Sequence, residues 1–305
     1  MKIKDRTGEE KLNNKGYKMK IVKYINNTDI DVEFENGYIK KNVQYRYFKS
    51  GNIDHVDYTE RIGKTKINNF GNLATVIDYI DSRNVYIEFE NGYKSKCIWC
   101  AFIKGSFVSP YCKTVFRVGY LGEGKYLTTD RWYTFWTGFI QRVHYKKHKS
   151  REHYKSVSIN KDWYNYQNFA KWADENYYEI PNHQMQIDKD ILFKNNKEYS
   201  PDTCIFVPQI INVLFTKSDK ARGDLPIGVY WFKEGKNYRA QCSYVDNNGE
   251  LKNKYLGGHG NPKDAYLAYK RFKESHIKEI ADRYKEYIPD NLYKALYEYQ
   301  VDITD

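Results

Sequence analysis

The first third of this chain contains one pattern of residues twice, and this duplication constrains the fold more than any other feature. Residues 13–51 contain the run VEFENGY, and residues 68–105 contain IEFENGY in the same setting. In each copy apolar and polar residues alternate with a period of two, which is typical of strands with one buried face. The Asn-Gly pair in each copy indicates a tight hairpin turn, since both residue types tolerate positive φ. The sequence therefore predicts two compact β meanders, one after the other.

The composition of the chain limits the kinds of molecule that it is expected to bind. The chain of 305 residues has 50 Lys and Arg against 39 Asp and Glu, a formal net charge of +11, which favours polyanionic partners. Aromatic residues make up 17% of the chain, enough to build real cores and to argue against disorder. No apolar run approaches the ~18 residues of a membrane span, and the start lacks the apolar region of a signal peptide. Membrane partners are therefore not expected.

The five cysteines are an odd number in a long chain, which favours reduced thiols in an intracellular protein. Cys97 and Cys100 have the spacing of a zinc knuckle, and Cys112 lies nearby. A closed zinc site needs four ligands, and the sequence offers no second pair. We therefore interpret these cysteines as small apolar residues, those of the pair within a strand, and expect no structural metal.

The middle of the chain changes to a helical pattern. Asp130 can cap a helix whose apolar residues recur at helical spacing. These residues are Trp132, Phe135, Trp136, Phe139, Ile140 and Val143. A second amphipathic helix is expected over residues 162–178, a short strand near residues 203–207, and a further helix from Ile210. The polar segment 216–226 has the composition of a linker.

Residues 113–215 resemble HNH-nuclease-related proteins of phages and mobile elements. The resemblance rests on a tryptophan-bearing helix followed by the motifs Asp-Lys-Asp-Ile-Leu, Asn-Lys-x-Tyr-Ser-Pro-x-Thr-Cys and Phe-Val-Pro. It implies a finger of two strands and a helix, with Asp188 at the family's first acidic position and Asn212 at its last Asn. Lys189 replaces the histidine that acts as general base, and Thr203 stands where the loop Asn often lies.

A protonated lysine cannot accept a proton, so this replacement implies a finger without nuclease activity. In that case no cofactor is needed, and Lys189 is expected to contact a phosphate. If cleavage survives, the catalytic residues would be Asp188, His183 and Asn212, and a divalent metal such as Mg²⁺ would be required.

Residues 142–155 are strongly basic and contain three histidines, two tyrosines and one Glu. The basic residues are Arg142, Lys146, Lys147, Lys149, Arg151 and Lys155. One interpretation is a solvated loop. The other is an arm that grips phosphates, with tyrosines interleaved for stacking. We favour the arm because it precedes the nuclease-like motifs.

Residues 227–273 resemble the ethylene-response-factor type of DNA-binding domain. The resemblance rests on Tyr-Arg-Ala-Gln, the turn Asn-Asn-Gly, Tyr-Leu-Gly, and an Asn-Pro pair at residues 261–262 that starts a helix. It implies a three-stranded sheet whose outer face enters the major groove, with the helix behind it. Alternation places Arg239, Gln241 and Ser243 on the outer face. The resemblance adds Tyr230, Asn253 and Tyr255 to the residues that face DNA.

The predicted fold class is therefore α+β. It comprises two small β-barrel repeats, a finger-like α+β middle domain, and a three-stranded sheet plus helix at the C-terminus. The domains are residues 1–60, 61–112, 113–215 and 227–305, with the linker at 216–226. Each repeat resembles a small Src-homology- or Tudor-like barrel, which serves protein or nucleic-acid binding or acts as a plain spacer.

The predicted function is binding of double-stranded DNA by a phage or mobile-element protein in the cytoplasm of a bacterial host. The alternative is a metal-dependent homing endonuclease. A third option is an inhibitor whose partner is a host nucleoprotein complex, a nucleic-acid-guided defence complex.

Overall fold

The computed structural model describes residues 4–54, 59–145, 156–216 and 224–303. The chain divides into two compact units, Met1–Ser109 and Pro110–Asp305. Both are built from small, mainly antiparallel sheets and short to medium helices, so the fold is mixed α+β. Across the described ranges, no helix combines the length and the apolar character needed to cross a membrane.

The first unit contains two four-stranded antiparallel sheets, each with its strands paired in chain order. The first sheet and its helix are β1 (Glu10–Leu12), β2 (Lys18–Asn26), β3 (Asp29–Phe34), β4 (Ile39–Val43) and α1 (Tyr45–Ser50). The second set is β5 (Thr65–Ile67), β6 (Leu73–Asp81), β7 (Asn84–Phe89), β8 (Lys94–Cys97) and α2 (Trp99–Lys104). A 3₁₀ turn, Thr59–Arg61, precedes the second sheet.

Neither sheet closes into the predicted barrel. In the part of the chain that the structure describes, β1 and β4 are the two edges of the first sheet, and β5 and β8 are the edges of the second. Closure would require β4 or β8 to continue and pair with the opposite edge. Instead the backbone turns into a helix directly after each of these strands, and each helix buries one phenylalanine, Phe48 or Phe102.

The Asn-Gly turns form, with a geometry that differs from the expected one. Only the glycines have positive φ, 80° at Gly37 and 81° at Gly92. Each glycine N–H donates to the carbonyl three residues earlier, at 2.8 Å. The side chain of Asn36 accepts from the N–H of Tyr38 at 3.1 Å, so the asparagine stabilises the turn without itself becoming left-handed.

The second unit begins with two helices and a segment at residues 185–215, called the finger below, that contains one antiparallel pair of strands and a short helix. The helices are α3 (Arg131–His144) and α4 (Tyr166–Asn176), the latter preceded by a 3₁₀ helix, Lys161–Tyr164. The strands are β9 (Ser158–Ile159), β10 (Met185–Asp188), β11 (Glu198–Tyr199) and β12 (Ile205–Pro208), followed by α5 (Gln209–Asn212) and the 3₁₀ turn Val213–Phe215. Strand β10 pairs antiparallel with β12, and β9 pairs parallel with β11.

The predicted helix after Asp130 is confirmed, but the expected cap is wrong. The Asp130 carboxylate accepts from the N–H of Leu127 at 2.8 Å and makes no capping bond to the helix. At the other predicted helix start the cap is confirmed, since Asn261 accepts from the N–H of Asp264 at 2.9 Å and proline occupies the first turn.

The C-terminal region of the second unit is a three-stranded antiparallel sheet with two helices. Its strands are β13 (Val229–Phe232), β14 (Asn237–Val245) and β15 (Leu251–His259), with β14 in the centre. Helix α6 (Pro262–Tyr284) packs on one face through Ala265, Tyr266 and Tyr269, and α7 (Asp290–Glu298) follows. Ala240 and Cys242 lie buried beneath α6, so the opposite face of the sheet is the outer one.

One large core joins the finger to the C-terminal helices. Its centre is aromatic and includes Trp136, Trp163 and Phe206, with the Trp136 indole donating to the Trp163 carbonyl at 2.7 Å. Ile280 of α6 and Leu292 of α7 are fully buried in the same core. The chain before and after the segment 216–226 therefore contributes to one hydrophobic core, although most of that segment lies outside the described residues.

Candidate functional site

The finger places three of the predicted site residues around one cleft. Asp188 is the last residue of β10, Lys189 follows it, and Asn212 is the last residue of α5. All three line a cleft of about 670 Å³. The Asn212 side chain donates to the side-chain oxygen of Gln186 at 2.6 Å, which ties the short helix to the strand that carries Asp188.

The carboxyl of Asp188 is held in the loop that follows it. One of its oxygens accepts from the N–H groups of Asp190 and Ile191, both at 2.8 Å. Burial, and then the negative charge of Asp190, raise the pKa of Asp188 to about 6. A carboxyl with such a raised pKa in a cleft marks a candidate functional position.

Lys189 does not extend toward solvent. Its ammonium lies 3.2 Å from a carboxylate oxygen of Asp190 and donates to the carbonyl of Asn196 at 3.2 Å. The side chain is only 13% exposed. The positive charge of Lys189 therefore helps to close the finger loop, and at most one of its three N–H donors remains for the predicted contact with a phosphate.

The sequence interpretation missed the residue that organises the loop. The Asn196 side chain donates to the carbonyls of Lys189 and Glu198, both at 2.7 Å, so it spans the loop from one side to the other. Thr203 donates its hydroxyl to the Glu198 carbonyl at 3.0 Å. The signal for Asn196 was present in the Asn-Lys-x-Tyr motif.

His183, the predicted substitute base, is not among the residues that line the cleft. Its Nε2 lies 3.1 Å from the hydroxyl of Tyr284 in α6, and the two rings meet edge to face. The structure therefore brings Asp188 and Asn212 together and directs His183 to the C-terminal helix.

Arg142 is the predicted basic-arm residue that the structure describes. It lies in the last turn of α3, lines the same cleft, and has its guanidinium 5.7 Å from the centre of the Tyr199 ring. Its Nε is buried and has no hydrogen-bond partner among the residues that the structure describes. The other arm residues lie outside the described residues: Lys146, Lys147, Lys149, Arg151 and Lys155.

The described side chains offer no group of three or more His, Cys, Asp or Glu placed to hold a metal ion. The cysteine pair expected within one strand is divided between two elements. Cys97 ends β8, and Cys100 lies in α2.

The predicted outer-face residues of the C-terminal sheet come together as three cross-strand pairs. The pairs are Tyr230 with Arg239, Gln241 with Tyr255, and Ser243 with Asn253. The Ser243 hydroxyl donates to the Asn253 side chain at 2.7 Å, and Tyr255 is 56% exposed. Strands β13, β14 and β15 contain no Asp or Glu, so no carboxylate from the sheet itself opposes an anion on this face.

Arg239 is the most unusual side chain of this face. Its guanidinium carbon lies 3.2 Å from the centre of the Phe232 ring and 5.4 Å from that of Tyr255. Its Nε is buried, and no described residue forms a hydrogen bond with it. Phe232, which sequence reasoning did not select, thus supports the plane of the guanidinium, because β13 and β14 pair antiparallel and place it beside Arg239.

Comparison of the chain with protein-family models, with curated proteins and with solved structures gives no match.

Proposed function

We propose that this protein binds double-stranded DNA through the outer face of the sheet β13–β14–β15. The observation that carries the proposal is the guanidinium of Arg239, which lies 3.2 Å from the centre of the Phe232 ring and 5.4 Å from that of Tyr255, in a sheet whose strands contain no Asp or Glu. Its Nε has no hydrogen-bond partner among the described residues. An arginine donates up to five hydrogen bonds, and leaving a buried N–H unpaired costs about 1–3 kcal/mol unless a partner is supplied.

The neighbouring side chains suit the edges of bases. Gln241 and Asn253 each carry a donor and an acceptor, and the amide of Gln can bond adenine in two places. Tyr230 and Tyr255 add exposed rings and hydroxyls. A B-DNA major groove about 12 Å wide admits strands, so a sheet face of this size can reach base edges there.

The finger has a supporting role in this proposal. The charge of Lys189 is held by Asp190, so the finger contributes shape and not hydrolysis, and no metal is required. The basic segment at residues 142–155 adds contacts to phosphates, which increase affinity without reading sequence. The formal net charge of +11 agrees with a polyanionic partner.

The test uses the full chain, since the C-terminal sheet shares its core with the finger. A duplex selected from a random library serves as the ligand, and fluorescence anisotropy measures affinity. Arg239→Ala should weaken binding by about 1–3 kcal/mol if Arg239 reads a base. Arg271→Ala, an equal loss of charge at an exposed position on α6, is the matched control and should change affinity little.

Two outcomes would contradict the proposal. One is the absence of salt-sensitive duplex binding by the wild-type chain. The other is an equal effect of Arg239→Ala and Arg271→Ala, which would reduce the contribution of Arg239 to net charge alone.

The basic segment is tested separately. Replacing Lys146, Lys147 and Lys149 together with Ala should weaken binding to all sequences alike, and the salt slope should decrease by about one for each lost phosphate contact. A changed sequence preference with an unchanged slope would show that the segment does not grip phosphates.

A further inference from the structure

The cleft beside the finger contains two adjacent amide side chains, each of which has one polar atom without a hydrogen-bond partner in the part of the chain that the structure describes. The Asn212 Nδ2 donates to the Gln186 Oε1 at 2.6 Å, and this bond fixes both side chains. The Oδ1 of Asn212 and the Nε2 of Gln186 remain, one acceptor and one donor from adjacent amides. Both residues line the cleft. A ligand with a neighbouring donor and acceptor can satisfy both groups.

The cleft also has the size and the walls for a planar ring. Its volume of about 670 Å³ falls within the range of small-molecule sites, roughly 300–1,000 Å³. Phe135 and Phe215, both partly buried, contribute aromatic surface to the lining, and Tyr199, 4% exposed, lies behind it. Flat heteroaromatic rings favour such walls, since stacking on an aromatic side chain is worth about 1–3 kcal/mol per base.

Two of the three cations that line the cleft are positioned for an anion. Arg142 and Lys197 line it, and the side chain of Lys197 is exposed. The third cation, Lys189, is held by Asp190. Asp188 and Asp190 are the carboxyl groups of the lining, so an anionic group is favoured near Arg142 and disfavoured at the loop.

We propose that this cleft binds one nucleotide unit, with the base against the Gln186–Asn212 amide pair and the aromatic walls and the phosphate toward Arg142. Each of the four bases has a neighbouring donor and acceptor on its Watson–Crick edge, which is free in an unpaired nucleotide, so the amide pair recognises a base without selecting one. The unit is either a free nucleoside monophosphate or an unpaired nucleotide of a nucleic-acid strand. This site is separate from the duplex-binding face proposed above.

Substitutions at Gly138 of α3 test whether the cleft is the nucleotide-binding site. It lines the cleft, and a Cβ built on it meets no atom within 4 Å. A side chain here projects into open space, and replacing a helix-interior glycine also favours the helix. Gly138→Trp should therefore fill the cleft while the fold is kept, and Gly138→Ala is the matched control that leaves the cleft open.

The experiment is calorimetric titration of the full chain with each of the four 2′-deoxynucleoside 5′-monophosphates and, separately, with sodium phosphate. We expect the nucleotides to bind more tightly than phosphate. Asn212→Ala should weaken nucleotide binding by about tenfold, since one hydrogen bond is worth about 1 kcal/mol and the loss also leaves Gln186 unpaired. Gly138→Trp should reduce binding below detection, whereas Gly138→Ala should bind like the wild type.

A second arm identifies the source of the nucleotide. A duplex with one unpaired nucleotide is compared with the fully paired duplex and with the free monophosphate, in wild type and in Gly138→Trp. A Gly138-dependent preference for the unpaired duplex assigns the site to a strand, and binding of the monophosphate alone assigns it to a free nucleotide.

Three results overturn the proposal: no binding of any nucleotide in either arm, equal binding of phosphate and nucleotides, or unchanged binding by Gly138→Trp. Gly138→Trp should still bind fully paired duplex through Arg239. A negative result for the nucleotide cleft is therefore distinguishable from a negative result for the proposed DNA-binding face.

Discussion

The ammonium nitrogen of Lys189 lies 3.2 Å from a carboxylate oxygen of Asp190, at the position where the HNH resemblance implies a general base. The same nitrogen donates to the Asn196 carbonyl. A protonated amine held in this way has no lone pair with which to take a proton from water. The ion pair therefore bears directly on whether the finger can hydrolyse a phosphodiester.

We expect the wild-type chain to leave supercoiled plasmid intact in the presence of Mg²⁺ or Mn²⁺. Gel electrophoresis after prolonged incubation provides the measurement, and Asp188→Ala is the control. Metal-dependent nicking by the wild type that disappears in Asp188→Ala would establish the endonuclease alternative instead.

Asp188 should destabilise the second unit at neutral pH. Its pKa is raised from 3.8 to about 6, so the folded chain holds this proton more tightly than the unfolded chain. The contribution of Asp188 to stability is therefore complete below pH ~4 and is lost as the pH rises through about 6. Asp188→Asn keeps an oxygen that can accept from the same two N–H groups and carries no charge.

This variant should increase the free energy of unfolding at pH 7 by about 1–3 kcal/mol and change it little at pH 4. Urea denaturation of wild type and variant at the two pH values measures the difference. A stabilisation of equal size at both values would show that the effect is not the charge of Asp188.

His276 should stabilise the second unit at neutral pH, in contrast to Asp188. Its Nε2 accepts from the N–H of Val245 at 3.0 Å, and its ring is 4% exposed. Burial lowers the pKa of His276 below its usual 6.5, so the folded chain holds the proton less tightly than the unfolded chain. The stability it contributes is present above pH ~6.5 and is lost as the pH falls below that value.

His276→Gln keeps a possible acceptor and removes the titrating group. The wild type should therefore lose more stability than this variant between pH 7 and pH 5, as measured by urea unfolding at each pH. Equal losses would assign the pH dependence to other groups.

A further prediction follows from the continuous hydrophobic core of the second unit. Ile280 lies in α6 and is fully buried against the aromatic centre of the finger region. Ile280→Ala should lower the free energy of unfolding by about 2–5 kcal/mol. Because the core is continuous, hydrogen exchange should quicken in α3 and α4 as well as in α6.

Leu267→Ala is the control, since Leu267 lies in the same helix and is 40% exposed. It should leave exchange in α3 and α4 unchanged. Acceleration confined to α6 in Ile280→Ala would mean that the finger and the C-terminal sheet unfold independently.

The sequence predicted local structure where a single pattern determines it. Ile30, Val32 and Phe34 alternate with polar residues, and all three are buried on one face of β3. The Asn-Pro pair at residues 261–262 predicted the start of α6 because capping depends on neighbours in the chain. Barrel closure failed as a prediction because it depends on pairing between distant edges, which alternation within one strand does not determine.

The residues of the candidate sites also differ in whether the local sequence could identify them. Asp188 and Arg239 could be located because each lies within a local motif. Gln186, Phe232 and Gly138 could not, because their roles arise from tertiary neighbours: an amide on α5, a guanidinium on β14, and the open space beside α3. Nothing in the residues adjacent to these three in sequence indicates those neighbours.

The last prediction concerns the ring beneath Arg239. Phe232 lies 3.2 Å from the guanidinium carbon, and a cation over an aromatic face gains about 0.5–2 kcal/mol. Phe232→Leu keeps an apolar side chain but removes the π face that fixes the plane of the guanidinium. Duplex affinity should fall by about 3- to 10-fold, measured by anisotropy on the selected duplex, because the arginine must then be ordered during binding. Leu251→Ala, an exposed apolar position on β15, should have no such effect. If Phe232→Leu binds like the wild type while Arg239→Ala does not, Arg239 acts as a charge alone and the aromatic support is irrelevant to binding.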